Sequence, residues 1–370
     1  MNAAIPAIRD DLGIGYKQVG LLLGLPAIIG TFVEPIILLL GDTRLRKPIM
    51  NTGGLLVSSS FLLISYSPNF YIILLALIIS YPASGAFVSL SQATLMDQNQ
   101  GQETRMMARW TVVGSLGNLI GPLLIAASFT LLMGWRWIFV ILALAAGLLT
   151  LAVYFQYTPV VRLFTKETNK DISSEIHKLI SGLWKALGNL KFMRWIILLQ
   201  LSDLMLAIFT GYVALYFADI VGLDIAQIGI LMSILMAAGF LSDLSVIPLL
   251  ERFPGRLIVR ISALITGILY VALLILPWPW IKIIIVILLQ LSNIGWYQVL
   301  QGEAYAALPR LSGTVTAISS AAGLLGGAIA FCVGWIASWI GLSTAMWILI
   351  IGPISLLLFV PKAPQIQKSK

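Results

Sequence analysis

The chain repeats itself at an offset of 209 residues, and no other feature restricts its fold as much. Slid against itself, Gly13 meets Gly222, Gln18 meets Gln227, Gly20 meets Gly229 and Gly30 meets Gly239. Further on, Glu34 meets Asp243, Asp42 meets Glu251, Pro68 meets Pro277, Gln92 meets Gln301, Gly114 meets Gly323 and Gly117 meets Gly326. No gap is needed from Gly13 to Gly117. That window holds 12 glycines, of which 5 fall on a glycine. With glycine at 32 of 370 residues, chance gives about one.

Composition says which solvent the repeat folds in. The chain is 59% hydrophobic and 10% charged, with a mean hydropathy of +0.98. A soluble domain carries about 25% charged residues, so the lipid bilayer is the solvent here. A parallel repeat in so apolar a chain is the pattern of a membrane transporter built from two halves. The net charge of +8 would point to nucleic acid in a soluble protein. In a membrane protein it reflects basic residues gathered on the cytoplasmic side, so no nucleic-acid partner is expected. Cys332 stands alone, which excludes an intramolecular disulfide, and His177 is the single histidine, in a polar stretch. That leaves no support for a soft-metal site, a Cys–His nucleophile pair or a bound cofactor.

Eleven apolar segments reach the length of about 20 residues that a membrane helix needs. They cover 18–40, 49–67, 70–95, 109–132, 137–157, 195–217, 226–250, 257–276, 281–302, 313–336 and 342–360. The polar stretch from Thr158 to Arg194 separates five from six, and part of it has the spacing of an amphipathic helix on the membrane surface. The organisation expected is an all-α polytopic protein: an N-terminal bundle over 1–157, a cytoplasmic linker over 158–194 and a C-terminal six-helix bundle over 195–370. Of the lysines and arginines, 19 fall on the linker side and 4 (Arg9, Lys17, Arg136 and Lys282) on the other. This bias places the linker and the C-terminus in the cytoplasm. The segment 195–217 has no repeat mate, because its counterpart would precede Met1. The expectation is twelve helices of which eleven are visible, the first being absent; the alternative is an eleven-helix chain that starts outside.

The loop LLLGDTRLRKP, Leu38 to Pro48, resembles the signature of the major facilitator superfamily between its second and third helices, Gly-x-x-x-Asp-Arg/Lys-x-Gly-Arg-Arg/Lys. Asp42, Arg46 and Lys47 match it, while Leu38, Thr43 and Leu45 depart from it. The resemblance covers essentially the whole chain from Ile5 and implies two six-helix bundles. It also implies that Asp42 faces a helix N-terminus in the other half and latches one conformation, with Arg46 and Lys47 compensating its charge at a helix C-terminus. Glu251 and Arg252 are the repeat-related candidates for a second latch. GSLGNLIGP, with Gly117, Gly121 and Pro122, resembles the helix-bending motif of the drug–proton antiporters of this superfamily, although Ile125-Ala126 replaces the Gly-Gly pair that follows. YPASGAFVSLSQATLMD and MWILIIGPISLLL look like its fosmidomycin-resistance branch. Packing alone also accounts for the glycines.

Acids at membrane depth cost about 3 kcal/mol each, so each needs a reason. Asp203, in QLSDLMLAIFTGY, is expected to carry a coupling proton; Glu34, immediately before Pro35, and its repeat mate Asp243 are expected to support gating or share the proton. The alternative for all three is a hydrogen-bonded acid that fixes helix packing. Many antiporters of the superfamily carry an arginine in the fourth helix, whereas no Lys or Arg occurs here between Lys47 and Arg105. The cavity candidates are Gln92, Asn118, Gln200, Asn293, Trp296, Tyr297, Gln298 and Gln301, polar or amphipathic groups that avoid lipid. Such a lining suits an amphiphilic organic solute, and the absence of any lysine or arginine at membrane depth weighs against a fixed anion.

No phosphate loop, HExxH pair or Gly-x-Ser-x-Gly elbow is present, so an enzyme is not expected. The function expected is secondary active transport, as proton-coupled export of an amphiphilic small molecule by alternating access. An ion-coupled uptake symporter is the alternative, and a non-transporting membrane receptor or scaffold is the alternative of another class. The expected partners are a small-molecule substrate, protons or another coupling ion, and the plasma-membrane lipids, around a monomer.

Overall fold

The computed structural model describes residues 5–130, 134–156 and 172–361, apart from some side chains within its helices. Among the described residues there are helices and no strands. In chain order they are α1 Ile5–Leu12, α2 Tyr16–Leu40, α3 Arg46–Ser65, α4 Phe70–Ser84, α5 Leu90–Gln98, α6 Glu103–Thr130, α7 Gly134–Gln156, α8 Ile172–Leu187, α9 Leu190–Asp203, α10 Thr210–Tyr216, α11 Ile225–Arg252, α12 Gly255–Ile275, α13 Pro279–Ser292, α14 Trp296–Ala307, α15 Ser312–Ile340, α16 Leu342–Ala345 and α17 Ile351–Phe359. Wide π-helical turns join α4 to α5 (Gly85–Ser89), α9 to α10 (Leu204–Phe209) and follow α10 (Phe217–Val221).

Among the described residues, eight helical segments are long and apolar enough to cross a membrane. These are Arg46–Ser65, Phe70–Gln98, Gly134–Gln156, Leu190–Val221, Gln227–Arg252, Gly255–Ile275, Pro279–Ala307 and Leu342–Phe359. A shorter apolar helix spans Gly24–Leu40. The two other expected segments fall in α6 and α15, which contain side chains outside the described set. Apolar side chains cover the outside: Phe32, Leu148 and Ile268 are each more than 60% exposed. Water would penalise that surface, and acyl chains do not.

The repeat has a local physical cause. Gly13 and Gly222 both adopt positive φ, +61° and +80°, which a side chain disfavours. Each is followed by a helix start in which a glutamine side chain accepts the N-cap amide hydrogen: Gln18 from Gly15 at 3.0 Å, and Gln227 from Asp224 at 3.1 Å. Deeper in, a side-chain carbon at Gly30 would meet Tyr81 at 3.0 Å, and one at Gly239 would meet Gln290 at 2.9 Å. Tyr81 and Gln290 are themselves repeat mates. Glycine recurs where a helix must approach its neighbour closely.

The chain forms two compact units. One comprises Met1–Gln100, Gly117–Asn189 and Leu308–Ala321. The other comprises Gly101–Leu116, Leu190–Ala307 and Ala322–Lys370. Each therefore includes the start of a helix from the opposite half of the sequence, and those starts are related by the repeat. In the first unit Ile8, Leu22, Ile64, Ile73, Trp135 and Phe139 build the core. In the second, α12 packs against α13 and α17, α9 packs against α14, and Trp296, Tyr270 and Phe192 are fully buried.

One expectation is corrected. Lys282, read as an outer-loop cation, is 7% exposed within the span Pro279–Ala307. Its Nζ donates to the Tyr216 hydroxyl at 2.6 Å and lies 4.9 Å from that ring. The helix starts at Pro279, so Lys282 stands in its first turn rather than in the loop before it.

Candidate functional site

Helix α2 ends at Gly41, and the next residue, Asp42, turns its carboxylate onto the start of α15. Asp42 Oδ1 accepts the Gly313 amide at 2.7 Å; Oδ2 accepts the Thr314 amide at 2.6 Å and the Thr314 hydroxyl at 2.5 Å. A carboxylate there satisfies amides that have no partner within the helix and meets the positive end of its dipole. Gly313 must be small: a side-chain carbon would lie 2.6 Å from the Leu38 carbonyl and 2.7 Å from Asp42. Burial pushes the Asp42 carboxyl above its ordinary range, against the pull of the Thr314 hydroxyl, Arg46 and the two amides.

Arg46, at the start of α3, knits the cluster together. Its guanidinium reaches Asp97 at 2.6 Å, Asp42 at 3.1 Å and the Ser312 hydroxyl at 3.0 Å, and also donates to the Gly41 carbonyl. Ser312 in turn donates to Asp97 at 2.5 Å. The side chains of Arg46 and Asp42 are 5% and 3% exposed. A planar fork with five donors suits this geometry, and a lysine does not replace it. Asp97 and Ser312 were not among the sequence candidates. The signal for Asp97 is an acid in the last turn of an apolar helix, six residues before the next begins.

The remaining latch candidates do not join. Lys47 lies over the Tyr154 ring at 5.0 Å, while Glu251 and Arg252 are exposed at the end of α11. In the second unit the corresponding fastening is a bidentate pair, Arg256 with Glu303, at 2.7 Å through both nitrogens. Gly302 there lies so close to Thr104, at the start of α6, that a side-chain carbon would fall 2.5 Å from its Cα.

The acids at membrane depth fall into two kinds. Glu34 accepts the Ser89 hydroxyl at 3.3 Å, in the π-helical turn Gly85–Ser89, and fills the space beside Gly85. Asp243 accepts Gln298 Nε2 at 2.7 Å and the Ser115 hydroxyl at 2.5 Å. Ser89 and Gln298 are repeat mates, as are Glu34 and Asp243, so the acid–donor pair is duplicated. Asp203 differs. It ends α9 just before the π-helical turn Leu204–Phe209, is only partly exposed, and has no hydrogen-bond or ion-pair partner among the described residues.

Of the cavity candidates, Gln92, Gln200, Asn293, Trp296, Gln298 and Gln301 are buried, while Tyr297 is 36% exposed. Trp296 donates to Ser262 at 2.7 Å, and Asn293 accepts from Thr266 at 3.2 Å, so both serve packing. Gln200 Oε1 is buried without a partner among the described residues. The side chains of Asn118 and Pro122 lie outside the described set. Helix α6 runs on through Gly117 and Gly121, and side-chain carbons built there would meet no described atom within 4 Å.

A polytopic helical chain of two repeat-related units, with a charged latch on a helix start and carboxyls inside its spans, has the build of a membrane transporter. The chain belongs to the Major Facilitator Superfamily, whose sequence profile residues 1–331 match. FucP, a member of that superfamily solved in the outward conformation, superimposes with a TM-score of 0.74 at 16% identity, over 97% of this chain and 93% of that one. A variant of the E. coli fucose:proton symporter FucP gives 0.75 at 15% identity, with the same coverage. The proton:xylose symporter XylE bound to 6-bromo-6-deoxy-D-glucose gives 0.66 at 14% identity, over 97% and 91%. At such identities the likeness is one of fold. No curated protein sequence matches the chain.

Proposed function

We propose that the protein is a proton-coupled secondary transporter that exports an amphiphilic small molecule by alternating access. The observation that carries this reading is the set of carboxyls inside the spans: Glu34 and Asp243 each held by a repeat-related donor, and Asp203 with no partner among the described residues. A carboxyl in an apolar site with no fixed cation can take up and release a proton reversibly. Asp42, Arg46, Asp97 and Ser312 act as the latch: breaking five hydrogen bonds to the start of α15 frees that helix to move. The Gly117-x-x-x-Gly121-Pro122 motif supports the outward direction, because a helix with two glycines and a proline can bend.

Uptake by symport is the second reading. It is favoured by the fold shared with FucP and XylE, which are proton symporters for sugars. Both readings keep Asp203 as the proton carrier and differ in direction. A drug-sensitive bacterial host expressing the chain, challenged with a panel of amphiphilic inhibitors, separates them. Resistance that Asp203→Asn abolishes supports export; unchanged sensitivity with accumulation of a solute supports uptake; neither effect from inserted protein contradicts transport.

A further inference from the structure

A buried amide oxygen and a partly exposed carboxyl sit one helical turn apart on α9, and neither has a hydrogen-bond partner among the described residues. Gln200 is 8% exposed, and its Oε1 has no hydrogen-bond partner among the described residues. Asp203, three residues on, likewise has none. Residues three apart on a helix are neighbours, with Cβ atoms about 5–6 Å apart, so an amide oxygen and a carboxyl at these positions can meet. With Asp203 ionised, no donor reaches Gln200 Oε1, which bears the cost of a buried, unsatisfied acceptor. A proton on Asp203 supplies that donor.

We propose that Gln200 is the positioning residue for the coupling proton: protonated Asp203 donates to Gln200 Oε1, and this bond selects the proton-loaded state. The inference rests on Asp203 being the proton carrier. In its unit α9 packs against α14 and α17. Helix α17 carries no ionisable side chain. On α14 these are Tyr297, Glu303 and Tyr305, and Glu303 is held by Arg256. On α9 itself Lys191 and Arg194 lie toward the opposite end, at least nine residues away, or about 13 Å along the axis. Tyr270 packs edge-on against Phe209 of the adjoining turn, with its hydroxyl spent on the Met346 carbonyl at 2.6 Å. The π-helical turn that starts at Leu204 widens the helix just beyond the pair, a distortion found often at functional sites.

The test needs protons alone, without knowledge of the solute. Purified protein in neutral phospholipid vesicles is titrated by infrared difference spectroscopy, and the carboxylic C=O band that Asp203→Asn removes is followed against pH. Gln200→Met keeps the length and the apolar volume but removes the acceptor. If Oε1 accepts from protonated Asp203, the loss falls on that form and the midpoint moves to lower pH by about one unit, the size of a single hydrogen bond; a move to higher pH, which losing a donor from Gln200 Nε2 to the carboxylate would give, overturns the inference. An unmoved midpoint overturns the inference and leaves Asp203 as the carrier. If Asp203→Asn removes no titrating band, the proton-carrier reading falls and the inference with it. A midpoint that tracks sodium at fixed pH also overturns it, since the pair would then hold a metal cation. Should Gln200→Met fail to insert, the band in the unmodified protein decides: a hydrogen-bonded carboxylic acid lies at lower frequency than a free one, and a free one overturns the inference.

Discussion

At the scale of the residue, the latch concentrates the free energy. Asp42 accepts three hydrogen bonds at the start of α15, two of them from backbone amides, and a hydrogen bond to a charged group contributes about 1.5–3 kcal/mol. Asp42→Ala removes all three and leaves Arg46 with a reduced set of partners. We expect a fall in the thermal unfolding midpoint in lipid vesicles, together with greater labelling of a cysteine introduced at Ser312; an unchanged midpoint and unchanged labelling would contradict the latch. Gly313→Val tests the same contact from the other side, because its side chain cannot fit beside Leu38 and Asp42. It should resemble Asp42→Ala in both measurements. Arg46→Lys should not preserve the latch, since an ammonium cannot bridge Asp42, Asp97 and Ser312 together.

Asp42 and Arg46 were legible in the sequence because a short motif holds them four residues apart. Asp97 and Ser312 were not, because they come from distant segments and their pairing is a product of tertiary packing. Glu251 and Arg252 show the converse. Repeat symmetry nominated them, but the second unit fastens itself through Arg256 and Glu303, and symmetry of sequence did not carry over to symmetry of contact.

At the scale of the element, the helix starts carry the repeat. Asp224 caps α11 through the Gln227 amide at 2.8 Å, while Gln227 returns to the Asp224 amide. Asp224→Ala should cost about 1 kcal/mol, read as faster hydrogen exchange over the first turn of α11. Exchange confined to its original rate would show that tertiary packing alone holds the turn. The Arg256–Glu303 pair joins α12 to α14, with side chains 29% and 18% exposed, so solvent screens part of its attraction. Glu303→Gln should lower the thermal midpoint by a few degrees, and combining it with Arg256→Met should recover part of the loss, because the remaining cation is then removed. No recovery would mean that the two side chains act independently. Helix positions were readable from hydropathy because spans must be apolar. The π-helical turns were not, since a one-residue widening leaves hydropathy unaltered.

At the scale of the molecule, the offset of 209 residues fixed the architecture before any contact was known. Matched glycines, caps and acids in both halves point to two related bundles, and the chain superimposes on FucP over 97% of its length. The exchange of helix starts between units is a whole-molecule property that no local pattern announces. The cluster of Asp42, Arg46, Asp97 and Ser312 lies within the first unit, at the start of α15. The substrate was not legible. Its recognition depends on side chains from many helices, several of which, Trp296 and Asn293 among them, turn out to be occupied with packing.

The central claim is that solute movement is tied to proton movement through Asp203. Purified protein in vesicles that enclose a pH-sensitive dye, given an outward proton gradient and a solute to which the chain confers resistance or which it accumulates, tests this most directly. The account predicts solute flux that follows the gradient, dye-reported proton movement on addition of solute, and loss of both in Asp203→Asn. Solute flux with no proton movement, or coupled flux that survives Asp203→Asn, would contradict it.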